Sequence, residues 1–413
     1  MRVVILGAGY GGIRLAIELE RGLHRGHWKG QIVLVDRFPL HQLVTELHQV
    51  AAGSVLSDFA AIPLAKVLGG KRIAFRQATV TGFDLVGHRV QTTEGDLIYD
   101  VVVLGLGGEV DYFDIPTPRI PGLREHAAGI QTMQQANTVQ FRLQEAVYRY
   151  SQEAAKGAKP LTLVIGGGGM TGVEMAGQLA DEAAAWREEY RLAADAIPVL
   201  LVEAQERLLP GLHPQIASYA ASVLQRKGVT IRLKTAISRV ERGHLDDPGA
   251  TIRLVLSSGE EIQAGILIWA GGMRGPSLLA GSGLFLDPKG RVMVNGYLQA
   301  QGHTHVYALG DCALVVHPYT GQPCAPSARL ALNEAYWLAR YLTQQWALPF
   351  LPHTTGAVIS LGRGEAVAVI GRLQFFGRLA YLLKSLITMR YLYSLGGLRL
   401  LIYQLRIGVL GKI

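Results

Sequence analysis

Cysteine is scarce in this sequence, and the last part of the chain contains no acidic residue. Of 413 residues only Cys312 and Cys324 are cysteines, which is too few for a disulfide framework. No metal-ligand spacing surrounds either one, so we predict no metal site, and a reducing compartment suits the chain. These absences direct attention to the 50 glycines instead.

Acidic residues are missing from Ala366 to Ile413, a segment that contains seven Lys or Arg. Of the formal net charge of +8, the first 365 residues account for only +1. The basic residues of the segment are interleaved with Leu and Ile rather than displayed on a polar surface, so we predict no nucleic-acid partner. The longest uncharged stretch of this tail, Tyr391 to Leu398, has eight residues, which excludes a membrane-spanning helix of about 20 apolar residues.

Three glycines near the N-terminus form a nucleotide-binding pattern. In VVILGAGYGGIRLAIELE an apolar strand runs into Gly7, Gly9 and Gly12 and then into helix-forming residues. Glycine allows such a turn to approach a pyrophosphate closely, and the helix N-terminus supplies free N–H groups. A second strand, QIVLVDR, ends at Asp36, whose carboxylate can accept hydrogen bonds from ribose hydroxyls. We interpret this unit as a dinucleotide-binding site.

The same pattern recurs 160 residues later. LTLVIGGGGMTGVEMAGQLADE places Gly167, Gly169 and Gly172 between a strand and a helix, and VLLVEAQ closes the unit with Glu203. A carboxylate at this position binds a ribose 2′-hydroxyl and repels a 2′-phosphate, so we predict NADH rather than NADPH. The alternative, glycines that serve only close packing, would have to hold twice, each time with a matching acid.

A third motif follows the two glycine patterns, and the order of the three motifs is informative. In THVYALGDCA an apolar strand ends at Gly310 and Asp311. The series resembles the flavoproteins that have two dinucleotide-binding domains. This resemblance implies FAD in the first pocket, NADH in the second, and Asp311 against the ribityl-pyrophosphate part of FAD. It also implies that YDVVVLGLGGEVDYFDIP and ILIWAGGMRG are crossover strands between the domains.

The sequence argues against a disulfide as the electron acceptor. A disulfide reductase of this fold needs a close cysteine pair beside the flavin, but LHQLVTELHQVAAG, which follows the first nucleotide unit, has no cysteine. A sulfide-oxidising relative also needs paired cysteines there. We interpret Cys312 and Cys324 as small packing residues.

Four segments strongly resemble the type II NADH dehydrogenases, which are single-subunit NADH:quinone oxidoreductases on membrane surfaces. These segments are TELHQVAAG, GGMTGVEMAGQLAD, YALGDCAL and LITMRYLYSLGGL. The resemblance implies that Thr45 lies by the isoalloxazine ring of FAD and that Glu174 lies near the flavin, where it relays protons for quinone reduction. A glutamate in the first turn of a helix could instead only complement the helix dipole.

One segment departs from that family. Where the family has a glutamine-rich helix start beside the flavin and the quinone, this chain has APSARLALNEA, with Arg329, Asn333 and Glu334 at the matching positions. By the same match Ala328 belongs with the FAD-binding residues. Arg329 could donate hydrogen bonds to a quinone carbonyl or to the flavin, or it could form an ion pair with Glu334. We predict a catalytic set of Glu174, Arg329, Asn333 and Glu334.

The cationic tail is predicted to be amphipathic. On a helical wheel one third of the circumference holds Arg378, Tyr381, Lys384, Ser385 and Thr388. The other side holds Leu379, Leu382, Leu383, Leu386 and Ile387. Gly396 and Gly397 are predicted to end this helix, so that LRLLIYQLRIGVL forms a second one. Basic helices of this kind insert an apolar face at the level of the lipid headgroups. A homodimer interface between Leu-rich helices is the competing interpretation, and both can hold.

The sequence thus predicts an α/β fold with two Rossmann-like dinucleotide-binding domains and a C-terminal amphipathic region that binds a membrane. We expect an FAD domain from residues 1–115 and 286–345, a connecting segment at 116–159, an NADH domain at 160–285 and a membrane-anchoring region at 346–413.

The predicted function is transfer of electrons from NADH through FAD to a membrane quinone, without proton pumping, by a peripheral protein on the cytoplasmic face of a membrane. The first alternative is a soluble NADH-dependent flavoprotein reductase of ferredoxin or another small redox acceptor, which would have no use for the apolar tail. The second is a redox sensor that binds both nucleotides without turnover.

Overall fold

The computed structural model describes residues 1–115, 117–154, 157–243, 252–353 and 356–410. Lys412, the last cation of the tail, lies outside the described residues. Within them the chain forms two five-stranded parallel sheets, several small sheets and nine α-helices.

The first parallel sheet carries the N-terminal glycine pattern after its central strand. In order across the sheet, its strands are Val306–Ala308, Val101–Leu104, Arg2–Leu6, Gln31–Asp36 and Ile73–Gln77. The apolar run of the central strand, from Val3 to Leu6, is fully buried. A parallel strand that is covered on both faces needs such a continuous apolar run rather than an alternating one.

The second parallel sheet repeats this arrangement with the second glycine pattern. In order across the sheet, its strands are Ala127–Ala128, Ile266–Trp269, Leu163–Gly166, Val199–Val202 and Val229–Arg232. The strand before the second glycine turn is again the central one. The α/β fold with two Rossmann-like units is therefore confirmed, whereas the exact domain boundaries stay a prediction.

The nine α-helices alternate with strands along the described chain. They are α1 (Tyr10–His24), α2 (Leu47–Ala52), α3 (Leu64–Leu68), α4 (Leu123–His126), α5 (Met133–Glu153), α6 (Met170–Glu189), α7 (Pro214–Arg226), α8 (Ala328–Leu342) and α9 (Gly377–Leu410).

Six smaller sheets complete the described chain. The three-stranded antiparallel ones consist of Val80–Asp84, Arg89–Thr92 and Leu97–Ile98, of Ile237–Arg242, Ile252–Leu256 and Glu261–Ala264, and of Ala357–Ser360, Ala366–Ile370 and Leu373–Phe376. The two-stranded ones pair Leu40–Gln42 with Ala61–Pro63, Glu109–Val110 with Met273–Arg274, and Val292–Met293 with Ala313–Leu314.

The two predicted crossover segments pair with each other. Glu109–Val110 forms an antiparallel ladder with Met273–Arg274, and the indole Nε1 of Trp269 donates to the carbonyl oxygen of Asp111 at 2.8 Å. These contacts join the segments that leave the two parallel sheets.

Helix α9 is broken where the sequence predicts. Gly396 (φ −141°, ψ 17°) and Gly397 (φ 67°, ψ −161°) leave the helical region of backbone space, and Gly397 adopts a left-handed φ that favours glycine. The first part of α9 packs against the sheet of Ala357–Ser360 and the second part against α3. No helix among the described residues is long and apolar enough to cross a membrane.

The apolar side of α9 faces outward. Leu379, Leu382 and Leu386 are 56%, 60% and 58% exposed, whereas the Lys384 side chain is only 12% exposed. A helix at the surface of a water-soluble protein normally has the opposite orientation. The outward leucine row, defined as these three residues together with Ile387, therefore leaves about half of its apolar surface uncovered by the described chain.

Candidate functional site

The first glycine turn is shaped to receive a phosphate group. Gly7 has a φ of 101°, and a Cβ added to it would overlap the carbonyl oxygen of Gly105. A Cβ on Gly12 would overlap the carbonyl oxygen of Gly7. Gly9, directly before α1, faces open space, and no side chain caps the helix. The first N–H groups of α1 are thus left for an external acceptor.

Two carboxylates lie at the same edge of the first sheet. Asp36 Oδ2 accepts from the Ala8 N–H at 2.7 Å and Oδ1 from the Phe38 N–H at 2.8 Å, and burial raises the pKa of Asp36 in spite of these bonds. Asp311 follows the strand Val306–Ala308, and burial raises its pKa as well. A Cβ added to Gly108 would lie 3.4 Å from the Cβ of Asp311, which places Asp311 beside the turn after the neighbouring strand.

The second glycine turn has the same construction. Gly167 has a φ of 107°, and a Cβ on Gly172 would overlap the carbonyl oxygen of Gly167. Gly169 faces open space at the uncapped start of α6. Glu203 is buried and its Oε2 accepts from the Gly168 N–H at 2.5 Å. Both turns therefore fit a dinucleotide: each offers a close backbone approach, an uncapped helix N-terminus and an acid after the second strand.

The two cysteines are buried and do not form a disulfide. Burial raises the pKa of Cys312 to about 12, and its thiol donates to the carbonyl oxygen of Leu104 at 3.1 Å. A protonated, hydrogen-bonded thiol is a poor nucleophile. This arrangement suits the predicted packing role.

Glu174 lies in a buried charged cluster that also contains Glu46, His48 and Lys384. The Lys384 ammonium is 3.2 Å from Glu174 Oε1 and 3.5 Å from Glu46 Oε2, and the backbone N–H of Ser360 donates to Glu174 at 3.1 Å. Burial alone would lower the pKa of Lys384, but the two carboxylates more than offset it, so that its pKa is raised. The predicted polar side of α9 thus meets this cluster through Lys384.

His48 is the neutral member of this cluster. Its Nδ1 lies 3.9 Å from Glu174 Oε2, and its buried Nε2 has no hydrogen-bond partner among the described residues. Burial and the nearby Lys384 ammonium lower the pKa of His48 to about 3. His48 therefore remains uncharged at neutral pH, with its Nδ1 side toward Glu174 and its Nε2 without a partner among the described residues.

The position of Glu174 on α6 excludes one interpretation of its role. Glu174 is the fifth residue of α6, and the first turn of this helix contains no acidic residue. The effect of a helix dipole falls off beyond the first turn. Complementing the dipole is therefore not its main role, and the contacts with Lys384 and Ser360 explain its orientation better.

The start of α8 separates the residues that the sequence grouped there. Arg329 is exposed, and its Nη1 lies where a Cβ on Gly356 would be. Glu334 is fully buried, and its Oε2 accepts from the Gly310 N–H at 2.6 Å. The described ion pairs include none between Arg329 and Glu334, so that option is wrong. Glu334 instead supports the turn that carries Asp311. Asn333, which precedes Glu334 in α8, is half-buried.

Arg329 and Glu174 meet the same small sheet at opposite ends of one strand. Arg329 lies against Gly356, and Glu174 accepts from Ser360. Four residues of extended chain separate these contacts by about 13 Å. Thr45, also predicted near the flavin, is exposed, and its Oγ1 lies 2.9 Å from the hydroxyl of Tyr10. Ala328, predicted with the FAD-binding residues, is half-buried at the first position of α8.

Two further contacts fasten α9 to the first unit. Arg14 is 1% exposed and its guanidinium donates to the hydroxyl and the carbonyl oxygen of Ser394. His41 Nδ1 lies 2.8 Å from the Ala8 carbonyl oxygen, and His41 Nε2 lies 2.8 Å from the Tyr391 hydroxyl. A carbonyl oxygen can only accept, so Nδ1 carries the proton and Tyr391 donates to Nε2. Burial lowers the pKa of His41 to about 4, which keeps the ring neutral.

The sequence interpretation missed these partners. Glu46 and His48 lie within the segment TELHQVAAG. Two ionisable residues at the start of an apolar helical run were the one local indication that they belong to a site. Lys384 was assigned to a polar face, yet its partners are more than 200 residues away in sequence. No local pattern indicates a contact of that kind.

The fold and the two turns define an oxidoreductase of the type that binds two nucleotides. The chain belongs to the pyridine nucleotide-disulphide oxidoreductase family, whose model matches residues 1–335. It is 28% identical to the type II NADH:quinone oxidoreductase of Staphylococcus epidermidis over 405 residues, which cover 97% of each chain. The resemblance to type II NADH dehydrogenases is thus confirmed.

Solved structures show the same fold over the whole chain. NDH2 from Plasmodium falciparum in complex with NADH covers 100% of this chain and 99% of that chain with a TM-score of 0.81 at 16% identity. The sulfide:quinone oxidoreductase from Aquifex aeolicus covers 100% of this chain and 96% of that chain with a TM-score of 0.76 at 18% identity. At these identities the likeness concerns the fold alone.

Proposed function

We propose that this protein passes electrons from NADH through FAD to a quinone dissolved in a membrane, without pumping protons. The relative from Staphylococcus epidermidis is named an NADH:quinone oxidoreductase, and the two glycine turns offer a place for each nucleotide. The observation that carries the membrane part is the outward leucine row of α9, which exposes apolar side chains while Lys384 points inward.

The chain's own residues would hold both nucleotides at the carboxyl ends of the two sheets. Residues that would hold FAD are Gly7, Gly9, Gly12, Asp36, Asp311 and, by the family match, Thr45 and Ala328. Residues that would hold NADH are Gly167, Gly169, Gly172 and Glu203. Bound FAD would supply the chemistry that accepts a hydride and releases electrons to a quinone.

Glu174 is our candidate for supplying protons to the quinone. Reduction of a quinone to a quinol consumes protons, and a positioned carboxyl group can deliver them. Lys384 and Ser360 fix the Glu174 carboxylate, and the side chain remains 14% exposed, so that it retains access to solvent or to a ligand.

Arg329 and Asn333 are candidates for contacts with the acceptor, whereas Glu334 acts as a positioning residue through Gly310. A guanidinium stabilises a developing quinol oxyanion better than a neutral amide does.

Arg329→Ala should leave flavin content and flavin reduction by NADH intact and slow flavin reoxidation by quinone about tenfold, which corresponds to about 1.4 kcal/mol of barrier. A variant that loses FAD, or in which NADH reduction slows equally, would assign Arg329 to flavin binding.

The decisive experiment separates membrane attachment from catalysis. Deleting the tail would also remove the partners of Arg14, His41 and Glu174, so surface substitutions are the cleaner test. The triple variant Leu379→Ser, Leu382→Ser, Leu386→Ser should no longer float with liposomes, should keep NADH oxidation with a soluble quinone analogue, and should lose it with a quinone confined to the lipid. In the parent, high salt should weaken liposome binding only partly because the apolar contact persists.

Control substitutions at Val86, Ile115 and Phe141, which are also exposed apolar residues, should leave liposome binding unchanged. Equal flotation of the leucine triple variant and the parent would refute attachment through α9. A fall in molecular mass by half, with flotation unchanged, would indicate a dimer interface instead. Absence of quinone turnover in the parent would favour the soluble reductase or the sensor. Activity of inverted membrane vesicles with added NADH would test the cytoplasmic face.

A further inference from the structure

A cavity lies at the break of α9, between α9, α3 and the end of α1. Its volume is about 700 Å³, and its lining contains four basic side chains, Arg21, Lys66, Lys71 and Arg399. None of the lining residues is acidic. Three of the four cations come from outside the tail, so the charge pattern of the tail alone does not reveal this site.

The cations of this cavity have few partners. Arg21 pairs with Glu18 at 2.6 Å, and the Lys66 ammonium lies 4.0 Å from the ring centroid of Tyr403. In the part of the chain that the structure describes, Lys71 and Arg399 form no ion pair. Cations held around one cavity repel each other, and an anion placed among them relieves that repulsion. The cavity therefore suits an anionic ligand, and its volume exceeds that of a simple inorganic ion.

Exposed apolar side chains next to the cavity indicate that the ligand also has an apolar part. Tyr393 lines the cavity and is 58% exposed, and Leu398 and Ile402, on the next turns of α9, are 60% and 42% exposed. An anionic group in the cavity would thus sit beside an apolar surface that is open to the outside. A soluble anion would use only the cations, whereas a phospholipid would use both features.

We propose that this cavity binds the phosphate-bearing headgroup of an anionic phospholipid, with the acyl chains along the exposed apolar residues of α9. The site would add selectivity for anionic lipid to the general attachment provided by the outward leucine row. This inference rests on the proposed attachment to a membrane. It requires no change in the reaction with NADH or quinone.

The test compares two variants that remove the same charge. The site variant is Lys71→Gln with Arg399→Gln, and the control is Arg378→Gln with Arg390→Gln, which removes two exposed cations of α9 outside the cavity lining. Binding is measured by flotation with vesicles of phosphatidylcholine alone and with vesicles that also contain phosphatidylglycerol. Each Lys or Arg near an anionic surface adds to the attraction, so removing two within one site should lower affinity for the phosphatidylglycerol vesicles about tenfold or more.

The control variant should lose clearly less affinity, and both variants should bind pure phosphatidylcholine as the parent does. Equal losses in the two variants would overturn the proposal in favour of non-specific attraction. Displacement of the protein by inorganic phosphate, at a concentration that matches the accessible phosphatidylglycerol, would identify a site for free anions instead. Turnover with a soluble quinone analogue serves as a separate readout: its absence in the parent would refute the proposed function, while unequal lipid binding would still support the cavity as a headgroup site.

Discussion

The two nucleotide units have nearly the same backbone at their glycine turns. Gly9 and Gly169, which precede the two helices, have φ and ψ of −68°, −171° and −70°, −173°. In each unit the acid after the second strand accepts from the N–H of the residue after the first glycine, Ala8 for Asp36 and Gly168 for Glu203. The same steric demands have produced the same local solution twice.

The units differ at the fifth residue of the helix that follows each turn. This residue is Arg14 in α1 and Glu174 in α6. The two side chains have opposite charges, yet both contact α9, Arg14 through Ser394 and Glu174 through Lys384. Equivalent positions in the two units thus both hold the C-terminal helix, although with side chains of opposite charge.

The largest expected effects follow from filling either glycine turn. Gly12→Ala should yield protein without flavin, because the added methyl group overlaps the Gly7 carbonyl oxygen. Gly172→Ala should retain flavin but weaken NADH binding about hundredfold, which corresponds to about 3 kcal/mol. Flavin absorbance and stopped-flow reduction measure the two outcomes. Gly9→Ala, whose methyl group enters open space, should leave the free energy of unfolding unchanged. Loss of flavin in both Gly12→Ala and Gly172→Ala would contradict the assignment of FAD to the first unit and NADH to the second.

Removing Lys384 or Arg14, the two cations that join α9 to the nucleotide units, should have unequal effects. Lys384→Met leaves the buried Glu46 and the mostly buried Glu174 without a counter-charge, and breaking a buried ion pair costs about 3–5 kcal/mol. Arg14→Met should cost less, because Glu18 keeps its ion pair with Arg21 at 2.6 Å. Urea unfolding at neutral pH measures both values. Lys384→Arg should recover most of the stability, and an equal loss in the two Met variants would contradict the assignment.

The first unit should also show a pH dependence that comes from Glu334. Burial raises the pKa of Glu334 from 4.5 to about 8 in the folded protein. Between these values the folded state binds more protons than the unfolded state, so the free energy of unfolding falls as the pH rises, by at most about 1.4 kcal/mol per pH unit. Glu334→Gln imitates the protonated acid and should flatten this fall. Parallel stability profiles for the parent and Glu334→Gln would show that Glu334 is ionised when folded.

The smallest expected effect concerns the acids that follow the second strands. Glu203→Gln combined with Gln205→Arg should shift the preference from NADH toward NADPH about tenfold, because a 2′-phosphate gains a cation and loses a repelling carboxylate. Asp36→Asn should leave this preference unchanged. Steady-state rates with both nucleotides provide the measurement, and a parent enzyme that uses NADPH as well as NADH would show that Glu203 does not select the nucleotide.

Local features of the sequence predicted the turns and the helix break. Gly7, Gly167 and Gly397 occupy backbone conformations with positive φ that other residues rarely adopt, so the sequence pattern and the structure are directly linked. The strands were recognisable because parallel strands require unbroken apolar runs. These predictions depended on a few neighbouring residues only.

The charged contacts of the candidate site could not be predicted in this way. The wheel of α9 divides its residues into two faces, but only the distant Glu46 and Glu174 explain why Lys384 turns inward. The family match grouped Glu334 with Arg329 at the start of α8, yet the buried Glu334 carboxylate accepts a hydrogen bond from the Gly310 N–H. Both outcomes depend on the arrangement of separate elements in space.

The hydrogen bonds from Ala8 through His41 to Tyr391 have a consequence for modular exchange between relatives. Through His41 the C-terminal helix is hydrogen-bonded to the loop that precedes α1. The helix is therefore a structural part of the first nucleotide unit, in addition to its proposed role in attaching the protein to a membrane. A C-terminal helix transplanted from another protein would have to bring a hydroxyl, a cation and a hydrogen-bonding group in the register of Tyr391, Lys384 and Ser394. The outer leucines of α9 can therefore be replaced by other apolar residues without disturbing the nucleotide units, whereas residues of its inner face must change together with those units.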